Sequence, residues 1–221
     1  MHDDSVSQAT TSSPRAPQAE RLSRALVVDA AITIARRDGL DALSMRRLAE
    51  ELGVSTMAAY RHVAGKDTLV DDVLEAVLGG MDHDSTEDTW QEQVAEIAMR
   101  SYEVFLSVPG LADHLHGRAL SRPGIVQWLE ALSRPLAEAD IPDDELIGFV
   151  PALIWQLRGA ARLEAEWSET LHSLEQVSAL EPSDAPNLRS GHDEMQTRDA
   201  AEYFRASVQL LTDGLAVRVR A

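Results

Sequence analysis

The stretch ALSMRRLAEELGVSTMAAYRHVAGKDTLV, Ala42 to Val70, decides the fold. Met45, Leu48, Ala49 and Leu52 fall at i, i+3, i+4 and i+7, the spacing of one buried helical stripe. Ser44 stands where an N-cap belongs, and Gly53 stands where a helix ends on a residue with positive φ. A short helix follows from Ser55 to about His62. The tight turn Leu52-Gly53-Val54 lets the second helix cross the first steeply, and Ala49 is small enough for a close approach. Leu48, Leu52, Val54 and Val63 are expected to share a core with Val27, Ala31 and Ile34. Ser55, Thr56, Ala58, Arg61 and His62 are then left on the outer face. Hydroxyls and Arg can read base edges, and a methyl can touch thymine, so this face suits a major groove.

Working outward, almost all of the chain has helical period. Val27, Ala30, Ala31 and Ile34 mark a helix before the motif, stopped by Gly39. Val70, Val73, Leu74 and Val77 mark a fourth helix, with Asp67 expected as its cap and Gly79-Gly80 as its end. A fifth is expected from about Asp88 to Leu106, before Pro109-Gly110. Short helices are expected near 111–119 and 123–139. A long helix should open at Pro142-Asp143 and reach about Ser168, kinked at Pro151, and a last one should cover about 196–219. No alternating β-branched run, hairpin signal or internal repeat interrupts this pattern. The fold class is therefore all-α, with a helix-turn-helix three-helix head joined to a larger helical domain. The expected division is a disordered tail over 1–20, a head over 21–66 and a body over 67–221, with a second loop from Glu181 to Glu194.

The charge is as uneven as the hydropathy is regular. The 221 residues carry a net −17, which by itself argues against nucleic acid. Residues 21–66, however, hold eight Arg or Lys against five Asp or Glu, and the remainder holds twelve against thirty-two. A basic head on an acidic body can bind DNA locally. No apolar stretch approaches a membrane span. The first twenty residues carry acids and lack an apolar centre, unlike a secretory or transit segment. No cysteine is present, which excludes disulfides and thiolate metal sites. A cytoplasmic protein is the default expectation.

The entry helix VVDAAITIARRDGLDALSMRRLAEELGVS and its continuation MAAYRHVAGKDTLVDDVL resemble the TetR family of repressors, over roughly residues 22–80. Tyr60, His62, Gly65-Lys66 and Leu69 fit the family signature, while Ala59 stands where the family usually has a larger Leu. The resemblance implies that Ser44 holds a phosphate and that Arg46 reaches a base or a phosphate. It implies that Thr56, Met57, Ala58 and Arg61 face base edges, and that Tyr60, His62 and Lys66 hold backbone phosphates. Farther on, RSYEVFLSVPGLADHL, ADIPDDELIGFVPALIWQLRGA and YFRASVQLLTDGLAV resemble the effector-binding domain of tetracycline-repressor-like proteins. That likeness implies a ligand-responsive repressor, released from palindromic operator DNA by a small molecule. It also implies a homodimer paired through its long eighth and final helices.

Periodicity speaks to pairing independently. Leu146, Phe149, Val150, Leu153 and Leu157 form one stripe of the long helix, and Ile147, Ile154 and Ala161 a second face. Phe204, Val208, Leu211 and Leu215 repeat the stripe on the last helix. A helix apolar on two faces must bury both, one of them against a partner if not within its own chain. An effector pocket is expected among helices five to eight. Its candidates by residue type are Met99, Tyr102, Phe105, His116, Trp128, Phe149, Leu153, Trp155 and Gln156, which suit a small, largely apolar molecule. His114 and His116 lack a supporting carboxylate pattern, so no metal and no cofactor are expected. An enzyme remains an alternative, although no phosphate loop, nucleophile elbow, His-Glu-x-x-His or cysteine nucleophile is present. An architectural DNA-binding dimer without a ligand remains another.

Overall fold

The computed structural model describes residues 22–117, 119–167 and 198–220, with isolated positions between 169 and 176, and every regular element among them is helical. The tail over 1–20 and the loop from Glu181 to Glu194 lie outside the described residues. Ser23 caps α1 (Arg24–Asp38), its hydroxyl accepting from the Leu26 N–H. A 3₁₀ turn (Leu40–Ala42) leads into α2 (Met45–Leu52) and α3 (Thr56–Tyr60). α4 (Lys66–Gly79) then carries the chain out of the head. The body contains α5 (Trp90–Ser107), α6 (Leu111–His114), a 3₁₀ turn (Ala119–Ser121), α7 (Pro123–Glu138), α8 (Asp143–Ala165) and α9 (Ala200–Arg220). No helix among the described residues is long and apolar enough to cross a membrane.

Several expected boundaries move. α4 starts at Lys66 behind Gly65, which offers no side-chain cap, and Asp67 sits inside the first turn rather than capping it. An acid there still faces the positive end of the helix dipole. α5 starts later than Asp88, because Thr89 and Glu92 close a capping box: each side chain accepts from the other residue's backbone N–H. α8 runs on through Pro151, whose missing N–H leaves one helical bond unmade, and it ends at Ala165.

One buried cluster runs the length of the molecule. In the head, Val27, Ala31 and Ile34 meet Leu40, Leu43, Leu48, Ala59 and Val63. Leu52 and Val54, expected in the same core, are only half-buried. Ala59 is fully enclosed, so the small residue at this position fills its space. α4 extends the cluster through Leu69, Val73, Leu74 and Leu78 to the body, where it packs on α7. There the backbones nearly touch: a Cβ on Gly79 would lie 2.7 Å from the Gly124 Cα, and one on Gly124 would lie 2.6 Å from the Glu75 carbonyl oxygen. α8 and α9 pack along each other, and Phe149, Val150, Leu153 and Leu157 of α8 and Phe204, Val208 and Leu215 of α9 are buried. Their other faces stay bare: Ile147 is 71% exposed and Leu210 74%, with Trp155 and Val217 similarly open.

Candidate nucleic-acid interface

Two hydroxyl caps aim the reading surface. Ser44 accepts from the Arg47 N–H at 3.2 Å and Ser55 from the Ala58 N–H at 3.2 Å, so both short helices start at fixed residues. Between them Gly53 adopts φ 64°, and its N–H closes α2 onto Ala49 and Glu50. A side chain would be strained at that φ. With the starts and the turn set, 3.6-residue period decides which α3 residues point out. Ser55, Met57, Tyr60 and Arg61 are exposed, Met57 by 76%. Thr56, Ala58 and His62 are half-buried on the flanks of that face. All residues expected on the reading surface are thus accessible, Met57 and Tyr60 more so than Thr56, Ala58 and His62.

The cations of the head fall into two groups. Arg47 bonds Asp38 at 2.7 Å, and Arg37 bonds Asp38 at 2.9 Å and Glu51 at 3.2 Å. Hydrogen bonding to Asp38, then to Glu51, raises the Arg37 guanidinium above its usual range. These two arginines brace α1 against α2. Arg46 is held only by an exposed Glu50 one turn away at 3.2 Å, a pair weak enough for DNA to displace. Arg61 has no side-chain partner among the described residues. Lys66 donates to the Asp41 carbonyl at 3.1 Å, which parks its ammonium beside the start of α4. Arg46, Arg61 and Lys66 are therefore exposed head cations left free or loosely held.

The head is fastened to the body at more places than α4. Asp72 of α4 is 5% exposed and receives both guanidiniums that flank it. Arg24 of α1 bonds its two oxygens at 2.8 Å, and Arg122, at the start of α7, bonds it from the body side and reaches Glu75 at 2.8 Å. The Leu40 N–H also donates to the Pro109 carbonyl at 2.9 Å, and His114 bonds Asp41 at 3.1 Å. Sequence reasoning did not single out Asp72. Its signal was the Asp71-Asp72 pair set inside the apolar run LVDDVL, where a solvated face should not be.

In the body, the expected pocket residues separate. Tyr102 is buried, stacked on Phe204 with ring centroids 4.8 Å apart, and donates to Glu164 at 2.6 Å. Burial and that carboxylate push its phenol far above the usual range. Trp128 is buried with its indole N–H on Ser101 at 2.9 Å. Leu153 is buried in the core, Met99 is partly buried against it, and Gln156 is exposed and bonds Ser207 at 2.9 Å. Phe105 lines a cavity of about 430 Å³ between α5, α6 and α8, and Phe149 one of about 400 Å³ between α8 and α9. His116 and Trp155 come together in a third, of about 350 Å³, walled by Leu115, Leu129, Val150 and Ile154. No group of three His, Asp or Glu among the described residues is placed to hold a metal ion.

This geometry has relatives. The model of bacterial regulatory proteins of the tetR family matches residues 27–73, which spans α1 to the middle of α4. The HTH-type transcriptional repressor DrrR1 of Streptomyces coeruleorubidus is 29% identical over 207 residues, covering 87% of this chain and 77% of that protein. The class E tetracycline repressor of Escherichia coli is 28% identical over 203 residues, covering 90% and 93%. Among solved structures, ActR of Streptomyces coelicolor in complex with (S)-DNPA superposes with a TM-score of 0.77 at 27% identity, over 89% of this chain and 98% of that one. The likeness thus extends through head and body alike: the chain resembles TetR-family transcriptional regulators, with a tetR-type helix-turn-helix head over residues 27–73 and a TetR-like helical body.

Proposed function

We propose that this regulator is a repressor that acts as a homodimer on a near-palindromic operator and lets go when a small molecule enters its body. The observation that carries the DNA reading is the outward face of α3, with Met57, Tyr60 and Arg61 exposed between the capped Ser44 and the tethered Lys66. Ser55, Thr56, Met57, Ala58 and Arg61 meet base edges, and Arg46 a base or a phosphate. Ser44, Tyr60, His62 and Lys66 hold backbone phosphates. The functional division falls at the start of α4, with the head before residue 67 and the effector and dimerisation body after it.

A single five-residue reading helix specifies few bases, which is the physical reason for two-fold symmetry. The bare apolar faces of α8 and α9, with Ile147 and Leu210, pair with those of a second copy. The effector is small and largely apolar, in keeping with cavities walled by Leu, Val, Ile and Trp. ActR has been solved in complex with actinorhodin, a relative 25% identical to this chain with small-molecule complexes of its own. The protein works in the cytoplasm, where its operator lies. Sequencing DNA fragments retained by the pure protein tests the reading directly. A palindrome with half-sites centred about 34–36 Å apart, or a multiple of a turn, is expected. Retention without any common sequence would overturn it.

A further inference from the structure

Among the described residues, Arg158 is the half-buried arginine of the body that no carboxylate claims. Other described arginines of the body are engaged: Arg162 with Asp113 at 3.1 Å, Arg134 with Asp84 at 3.2 Å, Arg100 with Glu96 at 2.5 Å, and Arg122 with Asp72 and Glu75. Arg158 uses one N–H, from Nε, to hold the Ala112 carbonyl at 2.8 Å, and no acid among the described residues reaches it. In a chain with 37 acidic residues, a cation left half-desolvated without one is unusual. The bond through Nε fixes the plane of the guanidinium and leaves its two terminal nitrogens free, the arrangement that grips a carboxylate or sulfonate with two parallel bonds.

Arg158 lines the 350 Å³ pocket together with His116, whose imidazole offers an N–H in either protonation state. The rest of that wall is largely apolar, from Leu115, Leu129, Val150 and Ile154, and includes the exposed Trp155. The adjoining cavity of about 430 Å³ is different: its Arg162 is spent on Asp113 and its Glu164 on Tyr102. A net charge of −17 repels a free anion at long range, so any attraction must be supplied locally, as a lone arginine against apolar walls supplies it.

We infer that this pocket takes an aromatic organic anion, its ring body against Trp155 and Ile154 and its acid group on Arg158, with His116 as second donor. The inference rests on the reading of the body as an effector domain and narrows the effector from apolar to amphipathic. The test uses the full chain and two dyes of one framework: 8-anilinonaphthalene-1-sulfonate, which carries the anion, and N-phenyl-1-naphthylamine, which lacks it. Fluorescence titration should show the sulfonate bound at least about tenfold tighter than the neutral amine, the value of a hydrogen bond to a charged group. Arg158→Gln should erase that preference while keeping the neutral dye, with dye-free operator affinity unchanged and only a small drop in unfolding temperature from the lost Ala112 bond. Arg158→Lys, which keeps the charge but loses the fork, should retain part of it. An unchanged preference in Arg158→Gln, or no binding of either dye to the wild-type chain, overturns the site. Sulfonate binding that depends on Arg158 but leaves operator affinity unmoved upholds the anion site and sinks the effector reading instead.

Discussion

In the head, the functional face is made by neighbours; in the body, it is made by strangers. Ser44, Gly53 and Ser55 span twelve residues and between them fix where two helices start, turn and present Met57, Tyr60 and Arg61. The 350 Å³ pocket draws its wall from the segment after α6, from α7 and from α8, and its cation stands 42 residues beyond its histidine. A local face is robust, because caps worth about 1 kcal/mol each set it independently. A composite pocket exists only while distant helices keep their packing, which makes it suited to changing shape when a ligand arrives. The joint between the two carries both characters: a buried ionic node at Asp72 and a glycine contact between α4 and α7.

The largest expected effect lies on the outer faces of the body. Ile147→Glu combined with Leu210→Glu puts two charges where a partner would bury them, a cost of several kcal/mol per ion once desolvated. Sedimentation should show monomers at micromolar concentration, and operator affinity should fall with the dimer. If the double variant stays dimeric, these faces are not the interface.

Next comes the joint. Asp72→Ala leaves Arg122 half-buried with only Glu75, and a broken buried pair costs about 3 kcal/mol. Arg24→Ala, by contrast, removes an exposed partner and should cost under about 1 kcal/mol. Urea unfolding of both variants checks the asymmetry. Equal losses would mean that Asp72 is not the shared anchor. Gly124→Ala drives a methyl into the Glu75 carbonyl, with overpacking of about 1–3 kcal/mol. Gly148→Ala, where nothing lies within 4 Å, should instead gain a few tenths from helix propensity in the monomer. A neutral Gly124→Ala would mean that α4 and α7 separate easily, and the joint would be looser than its contacts suggest.

Legibility in the sequence followed the same divide. The head could be read because its signals are short-range: a serine cap, a periodic stripe and a glycine stop. Even there, the start of α4 was displaced by a residue, since Asp67 resembles a cap while the helix begins behind Gly65, which offers no side-chain cap. Thr89-x-x-Glu92 was a capping box in plain view and set the start of α5. The body's aromatics could not be sorted by type. Tyr102 and Trp128 look like ligand walls until their partners Glu164 and Ser101, 62 and 27 residues away, are seen to satisfy them. Arg158 showed nothing in the sequence, because its distinction is that no acid among the described residues pairs with it. The apolar second face of α8 was visible from spacing, since Ile147 and Ile154 cannot share the stripe of Phe149 and Leu153.

Within the head, base readers and braces should part company. Arg46→Ala and Arg61→Ala should each lower specific operator affinity by about 1–3 kcal/mol with no change in unfolding. Arg47→Ala should lower stability slightly, by about 0.5 kcal/mol, through the loss of Asp38. Operator titration alongside thermal melts separates the two. Should Arg46 and Arg61 variants bind as tightly as wild type, α3 does not enter the groove in this orientation.

Ser44 offers the most discriminating test of the set, with little expected change in stability. Ser44 already has one task, accepting the Arg47 N–H at the start of α2. A second is proposed for it, holding a phosphate at that helix end. Alanine cannot distinguish them, because it removes the cap and the hydroxyl together. Aspartate can. It caps as well as serine and complements the helix dipole, so Ser44→Asp should leave the melting temperature within the equivalent of a few tenths of a kcal/mol. The same carboxylate would face a phosphate, and the lost contact plus the added repulsion should weaken operator binding about tenfold and flatten its salt dependence by about one ion. A stable Ser44→Asp protein with undiminished affinity would make Ser44 a cap and nothing more, and would move the first phosphate contact of the head to Lys66 and Tyr60.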